Sequence, residues 1–282
     1  MNQILLNKTA NNSTTVRFHQ NIPYISYRAL ERIPWIRHGF STRIGGVSNG
    51  HFSSMNLGLG RDDFKENVIR NHEIIAAAVG FCPENIVTGK QTHTTNIRVV
   101  TRKDVGKGLY RDRDYDNIDG LITNEREVVL TTYFADCVPL YIVDTKNKAI
   151  GLSHSGWRGT VGKMGKVTIE KMMEEYGTNP ADVIACIGPS ICKNCYEISE
   201  DVAVAFMKEF QGREDEILVN KGNGKYLLDL WECNAIIFRE CGVSEENIHL
   251  PDICTCCNPD ILFSHRASHG KRGNLAAFLE IK

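Results

Sequence analysis

No stretch of this 282-residue chain approaches the roughly 18 consecutive apolar residues of a membrane-spanning helix, although 42% of its residues are hydrophobic. No membrane partner is therefore expected. Neither sign of charge is in excess: 33 Lys and Arg stand against 34 Asp and Glu. That balance argues against a basic field for nucleic acid and against an acidic solvating tail. The segment from Met1 to Thr15 is rich in Asn and Thr, has only a short apolar stretch at Ile4 to Leu6, and lacks the basic and apolar regions of a signal peptide. Several motifs are missing as well. No Gly-Lys-Ser/Thr ending marks a Walker A loop, and Gly58-Leu59-Gly60 lacks the third glycine of a dinucleotide fingerprint. The His-x-Glu and Pro-Cys-x-x-Cys signature of zinc nucleobase deaminases is absent. Nine His without one His-x-His pair would hardly furnish a mononuclear and a trinuclear copper centre together.

What is present reads as one α+β domain spanning 1–282, with residues 1–20 peripheral and the first stretch irregular. Short runs rich in β-branched and aromatic residues predict strands at Tyr24 to Tyr27, Trp35 to Ser41, Asn85 to Thr88, Asn96 to Val100, Gly120 to Ile122, Val128 to Phe134, Leu140 to Val143 and Ala149 to Ser153. Helical patterns cover Asp62 to Val79, Val161 to Tyr176, Glu200 to Phe210 and Leu230 to Cys241, three of them stopped by Gly80, Gly177 and Gly242. The Ala149 strand, the Val161 helix and a strand at Val183 to Ile187 form a βαβ crossover within mixed sheets flanked by helices.

Ten cysteines, unevenly spread over a domain of this size, do not make a secreted disulfide framework, so reduced thiols and a cytoplasmic location are expected. Three residues at strand ends draw attention: His93 in Gln91-Thr92-His93, Cys137 in Ala135-Asp136-Cys137-Val138-Pro139, and His154 opening the run to Gly159. One thiolate and two imidazoles leave the fourth position of a tetrahedral zinc free, as a catalytic site requires. The plain alternative is a buried Cys with two hydrogen-bonded His. Cys192-Lys193-Asn194-Cys195 and Cys254-Thr255-Cys256-Cys257 raise a four-thiolate zinc ribbon. Read as C-x-C-C, the second cluster lacks the matching knuckle, and buried reduced cysteines are preferred.

The blocks Gly39-Phe40-Ser41-Thr42-Arg43, Asn56-Leu57-Gly58, Gln91-Thr92-His93, Asp119-Gly120, Ala135 to Pro139, His154 to Gly159, Ile187-Gly188-Pro189 and Cys257 to Arg266 occur in one order. In them the chain resembles the YfiH-type laccase-domain family, also called multicopper polyphenol oxidase-like or purine nucleoside phosphorylase proteins. The resemblance runs from about Gly39 to the C-terminus, with departures at His265, where the family often has Tyr, and at Cys256 with Cys257. It implies zinc, with copper second, on His93, Cys137 and His154. It also implies phosphorolysis of adenosine, inosine, guanosine and methylthioadenosine to base and ribose 1-phosphate, and deamination of adenosine to inosine. A zinc-bound water has a pKa near neutrality, which suits deamination. Phosphorolysis needs a cation for phosphate, and Arg43 and Arg158 are the candidates because a guanidinium grips oxygens in pairs. Ser41, Arg43, Asn56, Gln91 and Arg266 are expected around the metal, while Asp136 either handles a proton or holds backbone amides. Rival readings are a copper oxidase, a metal-free hydrolase with Cys137 as nucleophile, and a purine-binding module without turnover. Purine nucleosides and phosphate are the expected partners; oligomeric state is left open.

Overall fold

The protein is described by a computed structural model covering residues 6–9 and 11–282; Ile4 and Leu5 of the N-terminal apolar stretch lie outside the described residues. Along the chain the strands are β1 (Thr14–His19), β2 (Ile22–Tyr27), β3 (Ile36–Ser41), β4 (Ile86–Thr88), β5 (Ile97–Val99), β6 (Gly120–Thr123), β7 (Val129–Phe134), β8 (Val138–Asp144), β9 (Ala149–Ser155), β10 (Val183–Ile187), β11 (Glu197–Ser199), β12 (Leu218–Gly222), β13 (Lys225–Leu228), β14 (Ile248–His249) and β15 (Leu275–Ile281). The helices are α1 (Arg28–Glu31), α2 (Lys65–Val79), α3 (Trp157–Val161), α4 (Met164–Tyr176), α5 (Glu200–Glu209), α6 (Glu214–Ile217) and α7 (Leu230–Glu240). One sheet runs β1-β2-β3-β15-β7-β4, a second β14-β10-β8-β9-β6-β5, and a small third β11-β13-β12. Both large sheets are mixed, because β4 joins β7 and β5 joins β6 in parallel while their central pairs are antiparallel.

The period-2 alternation of strand side chains explains the layering. Leu275, Ala277 and Leu279 of β15 enter the core between the two large sheets, whereas Ala276 and Phe278 face a smaller core with Ile75 and Ala76 of α2. On β8, Tyr141 and Val143 point into the intersheet core, and Val138, Leu140 and Ile142 point outward to a third core with α4 and α7. The molecule is thus layered α2, sheet, sheet, α4 with α7, and each fully buried Leu, Ile or Phe contributes about 1.5–3 kcal/mol. Gly151 belongs to this packing: a Cβ there would meet Thr168 at 3.0 Å and Met172 at 3.1 Å on α4.

β9 and β10 both lie antiparallel to β8, so they are parallel to one another with α3 and α4 between them in sequence. This is the expected βαβ crossover, with β8 inserted between its strands. The N-terminal stretch differs from expectation. Thr14–His19 is a strand paired along its whole length with β2, and Lys8 bridges to Ile253. Its sequence, Thr-Thr-Val-Arg-Phe-His, holds the β-branched residues of an edge strand, but the polar residues before it hide where it starts.

Candidate active site

The chain crosses from the first large sheet to the second twice at the same end of the molecule, once between β4 and β5 and once between β7 and β8. The first crossing carries His93 and the second carries Cys137. His154 comes from β9, opposite Pro139 of β8. Alternation places it on the same face as Ile150 and Leu152, toward the other sheet, where its ring packs 5.5 Å from Phe134. The three donor atoms of His93, Cys137 and His154 lie within 4.8 Å of one another. Both crossings use left-handed backbone at a residue other than glycine, His93 itself (φ 65°) and Asp136 (φ 88°). Such a conformation costs about 1–2 kcal/mol for an L-residue, so neighbouring bonds must hold it.

Asp119 supplies those bonds on the first crossing. Its carboxylate accepts the backbone N–H groups of Thr92, His93 and Thr94, each at 3.0 Å, and accepts Nδ1–H of His154 at 2.9 Å. Fully buried, it orients one histidine through its backbone and the other through its ring. With Nδ1 of His154 donating to Asp119, Nε2 is the nitrogen left for a metal, an arrangement typical of metal-bound histidine. Burial would push the Asp119 carboxyl up, but the hydrogen bonds from His154 and the backbone amides hold it at about 2. Burial likewise opposes ionisation of Cys137, yet the two imidazoles bring its thiol down to about 6. His154 is raised to about 9, since the Cys137 thiolate and Asp119 outweigh its burial. The sulfur is therefore disposed to be the anion that a cation needs. Gly156 completes the cradle, because a Cβ there would stand 3.0 Å from the Cys137 sulfur and 3.2 Å from the His93 ring.

The three donors open onto a cleft of about 280 Å³. Arg61, Lys90, Arg113 and Arg272 line it, and among the described residues no Asp or Glu does. Arg61 and Arg272 both donate to the side-chain carbonyl of Asn274, which holds the two guanidinium groups side by side. Burial, with Arg61 adding like charge, lowers Arg272 to about 10. Arg113 is fixed by Thr88 Oγ1 at 2.9 Å and the Gly89 carbonyl at 3.0 Å. Leu59, Tyr133 and Ala135 add an apolar wall.

Of the residues expected around the metal, Gln91 lines the cleft, where its amide pairs with both the N–H and the carbonyl of Tyr133. The others face elsewhere. Ser41 is fully buried and accepts the N–H of Ala276, which fastens β3 to β15. Arg43 spends its guanidinium on the carbonyls of Ser53 and Pro259, both at 2.8 Å, over the Phe263 ring. Asn56 sits behind the wall, accepting from Gly58 and Asn274 and donating to Asp63. Arg158 is exposed and stacked on Trp157, 4.3 Å from its ring. Arg266 donates to the carbonyls of Cys195 and Glu197. Asp136 accepts Thr255 Oγ1–H and the Arg266 N–H, each at 2.7 Å. Arg61, Arg113 and Arg272 on the cleft wall and Asp119 behind the histidines are not among the residues the sequence pointed to. Only Asp119 left a trace in the sequence, in the Asp119-Gly120 block.

The cysteine expectation also changes. Cys254 and Cys257 stand at C-x-x-C spacing with Cys256 merely between them, and their sulfurs gather with those of Cys192 and Cys195 within 4.8 Å. They are not four separately buried thiols; Cys257 is exposed. Among the described residues no helix is long and apolar enough to cross a membrane.

Comparison with known proteins adds independent findings. The family described as multi-copper polyphenol oxidoreductase laccase matches residues 37–282. Purine nucleoside phosphorylase YlmD of Bacillus subtilis is 36% identical over 248 residues, covering 86% of this chain and 88% of that protein. Purine nucleoside phosphorylase LACC1 of Homo sapiens is 31% identical over 252 residues, or 87% of this chain and 55% of that longer protein. Among solved structures, hypothetical protein YfiH of Bacillus licheniformis shares the fold with a TM-score of 0.88 at 31% identity, covering 94% of this chain and 99% of that one.

Proposed function

From the premise that this chain belongs to the multi-copper polyphenol oxidoreductase laccase family, whose members above include proteins named purine nucleoside phosphorylase, we propose that it is a metal-dependent purine nucleoside phosphorylase. Residues 1–282 act as one catalytic domain in this reading. The observation that carries it is the wall of Arg61, Lys90, Arg113 and Arg272, free of carboxylates, beside an open three-donor cluster. Lys90 already pairs with Asp116 at 3.0 Å, so the three guanidinium groups are the cations that favour an oxyanion, and the Arg61–Arg272 pair fits phosphate.

His93, Cys137 and His154 would hold the metal, and zinc suits a set of one sulfur and two nitrogens with access from a cleft. Among the described residues the grouped His and Cys donors include just two histidines, which is short of a multicopper centre. Bound there, zinc supplies Lewis-acid polarisation and activation of a water for attack on the purine carbon bearing an amino group. Arg61 and Arg272 hold phosphate, with Asn274 fixing the spacing between them. A phosphate oxygen attacks the anomeric carbon, the glycosidic C–N bond breaks, and the base leaves with the electron pair and takes up a proton. Tyr133 and Leu59 offer the purine an apolar face. Adenosine, inosine, guanosine and methylthioadenosine are the proposed substrates, and adenosine deamination the companion reaction.

Incubating metal-analysed protein with adenosine, with and without phosphate, separates the readings by chromatography. Adenine and ribose 1-phosphate should appear only with phosphate, and inosine with or without it. Failure to turn over any nucleoside, together with phenol oxidation by a copper-loaded protein, would establish the oxidase reading instead. Activity that survives chelation and leaves an adduct on Cys137 would establish the hydrolase.

A further inference from the structure

We propose that Cys192, Cys195, Cys254 and Cys257 hold one zinc ion in a closed four-thiolate site that fastens the turn bearing Cys137. The proposal is independent of what the cleft binds. Two C-x-x-C turns meet here from segments about sixty residues apart, and the four sulfurs lie within 4.8 Å of one another. Four sulfurs at about 2.3 Å from one ion stand roughly 3.8 Å apart in a tetrahedron, which this grouping accommodates. A cluster of several irons would need room between the sulfurs for its inorganic core. Cys195 and Cys257 sulfurs are 3.4 Å apart. The first turn is a single 3-10 turn, Lys193–Cys195, closed by Cys195 N–H on the Cys192 carbonyl. Each turn points one amide at the Cys254 sulfur: the N–H of Cys192 from the first turn at 3.2 Å and that of Cys257 from the second at 3.4 Å. Amide donors on a sulfur favour its thiolate form. Ser190 and Cys254 bridge the two segments, and Thr255 N–H bonds the Ser190 carbonyl.

Four protein donors leave no position for substrate, so the ion is structural. Its binding displaces the thiol protons and joins the two turns through strong bonds at the margin of the core that holds Cys254 and Ile191. The joined turns reach the other cluster through named contacts. Thr255, inside the second knuckle, donates to Asp136, and Arg266 donates its backbone N–H to Asp136 and its guanidinium to the Cys195 carbonyl. Asp136 also accepts Ile191 N–H on its carbonyl, one residue before Cys192. The left-handed turn that delivers Cys137 is therefore braced by the four-cysteine site.

Metal analysis of the full chain, purified with reductant and without added metal, tests this. Wild type should carry about two zinc ions per chain, Cys137→Ala about one, and Cys137→Ala with Cys257→Ser none, while Cys256→Ser keeps both. Cobalt loaded into Cys137→Ala should give the intense sulfur-to-metal absorption of a four-sulfur tetrahedral site, a readout that does not depend on activity. If the double variant fails to fold, the stoichiometry and cobalt spectrum of Cys137→Ala still decide. The proposal is overturned if Cys137→Ala holds no metal, if it holds iron instead of zinc, or if these four cysteines are recovered as disulfides from reductant-treated protein.

Discussion

The His93–Cys137–His154 group and the Cys192–Cys195–Cys254–Cys257 group are built from the same soft chemistry and differ in closure. The first has three donors, opens onto a cation-lined cleft, and has a glycine where a side chain would intrude. The second has four donors, none of them on the cleft wall. Donor count and access therefore separate a group suited to react from one suited to hold, and softness of the donors does not. The support differs too. Asp119 orients the first group with a carboxylate, whereas backbone amides attend the second.

The largest expected effect strikes the reactive side of that contrast. Cys137→Ala should lower nucleoside turnover by about 10³-fold or more, because Lewis-acid stabilisation contributes several kcal/mol, and the fold should survive. Asp119→Asn should cost about 10–100-fold, since the ligands remain but lose their orientation. Initial rates measured beside metal content check both, and a fully active Cys137→Ala protein would abolish the distinction between the groups.

A second, smaller effect sharpens the contrast among arginines. Arg272→Ala should raise KM for phosphate by about 10–100-fold, the value of about 1.5–3 kcal/mol for hydrogen bonds to a charged group. Arg43→Ala should leave that KM within about threefold and lower stability by about 1–3 kcal/mol, because two backbone carbonyls lose their donor. Phosphate titrations and denaturant melts on both variants distinguish the roles; equal effects on KM would refute the assignment.

Acid acts on stability through two buried histidines outside the cleft wall. Burial lowers His38 and His72 to about 4. The geometry agrees for His38, whose Nε2 accepts the Tyr27 N–H at 2.8 Å and so must be unprotonated. Below about 6.5 the unfolded chain binds protons that the folded chain refuses until about 4. The stability is therefore fully present above pH 6.5 and is lost as pH falls through that window, at up to about 1.4 kcal/mol per pH unit for each histidine. Unfolding free energies measured in Cys137→Ala should keep this slope. A flat profile there would assign acid sensitivity to the metal groups instead.

Legibility in the sequence followed from how local each cause is. Strand and helix spans such as Val183–Ile187 were readable because alternation and glycine stops are local signals. His93, Cys137 and His154 stood out as donors at the ends of apolar runs, but type alone did not separate them from Cys186, Cys233 and His72, which the core buries. Arg43 and Asn56 lie off the cleft wall because a glycine-rich loop requires polar side chains for its own carbonyls and amides, a demand that looks the same in sequence as ligand binding. Arg61 and Arg272 were invisible for the converse reason: ordinary loop arginines, they become a pair only when Asn274 receives both. The second C-x-x-C was present but obscured by Cys256. The spacing of Cys254 and Cys257 matches that of Cys192 and Cys195, and the gathered sulfurs show that Cys256 stands aside.

The two crossings between the sheets have a mechanical side. Each delivers one donor, and the third comes from a strand of the second sheet, so an ion seated there acts as a rivet through the layers. Fraying of a single crossing frees one donor and leaves two behind. Release through the open cleft then needs the remaining donors to let go in turn, while the intersheet core of Phe134, Tyr141, Leu275 and Leu279 keeps the strands beneath them in register.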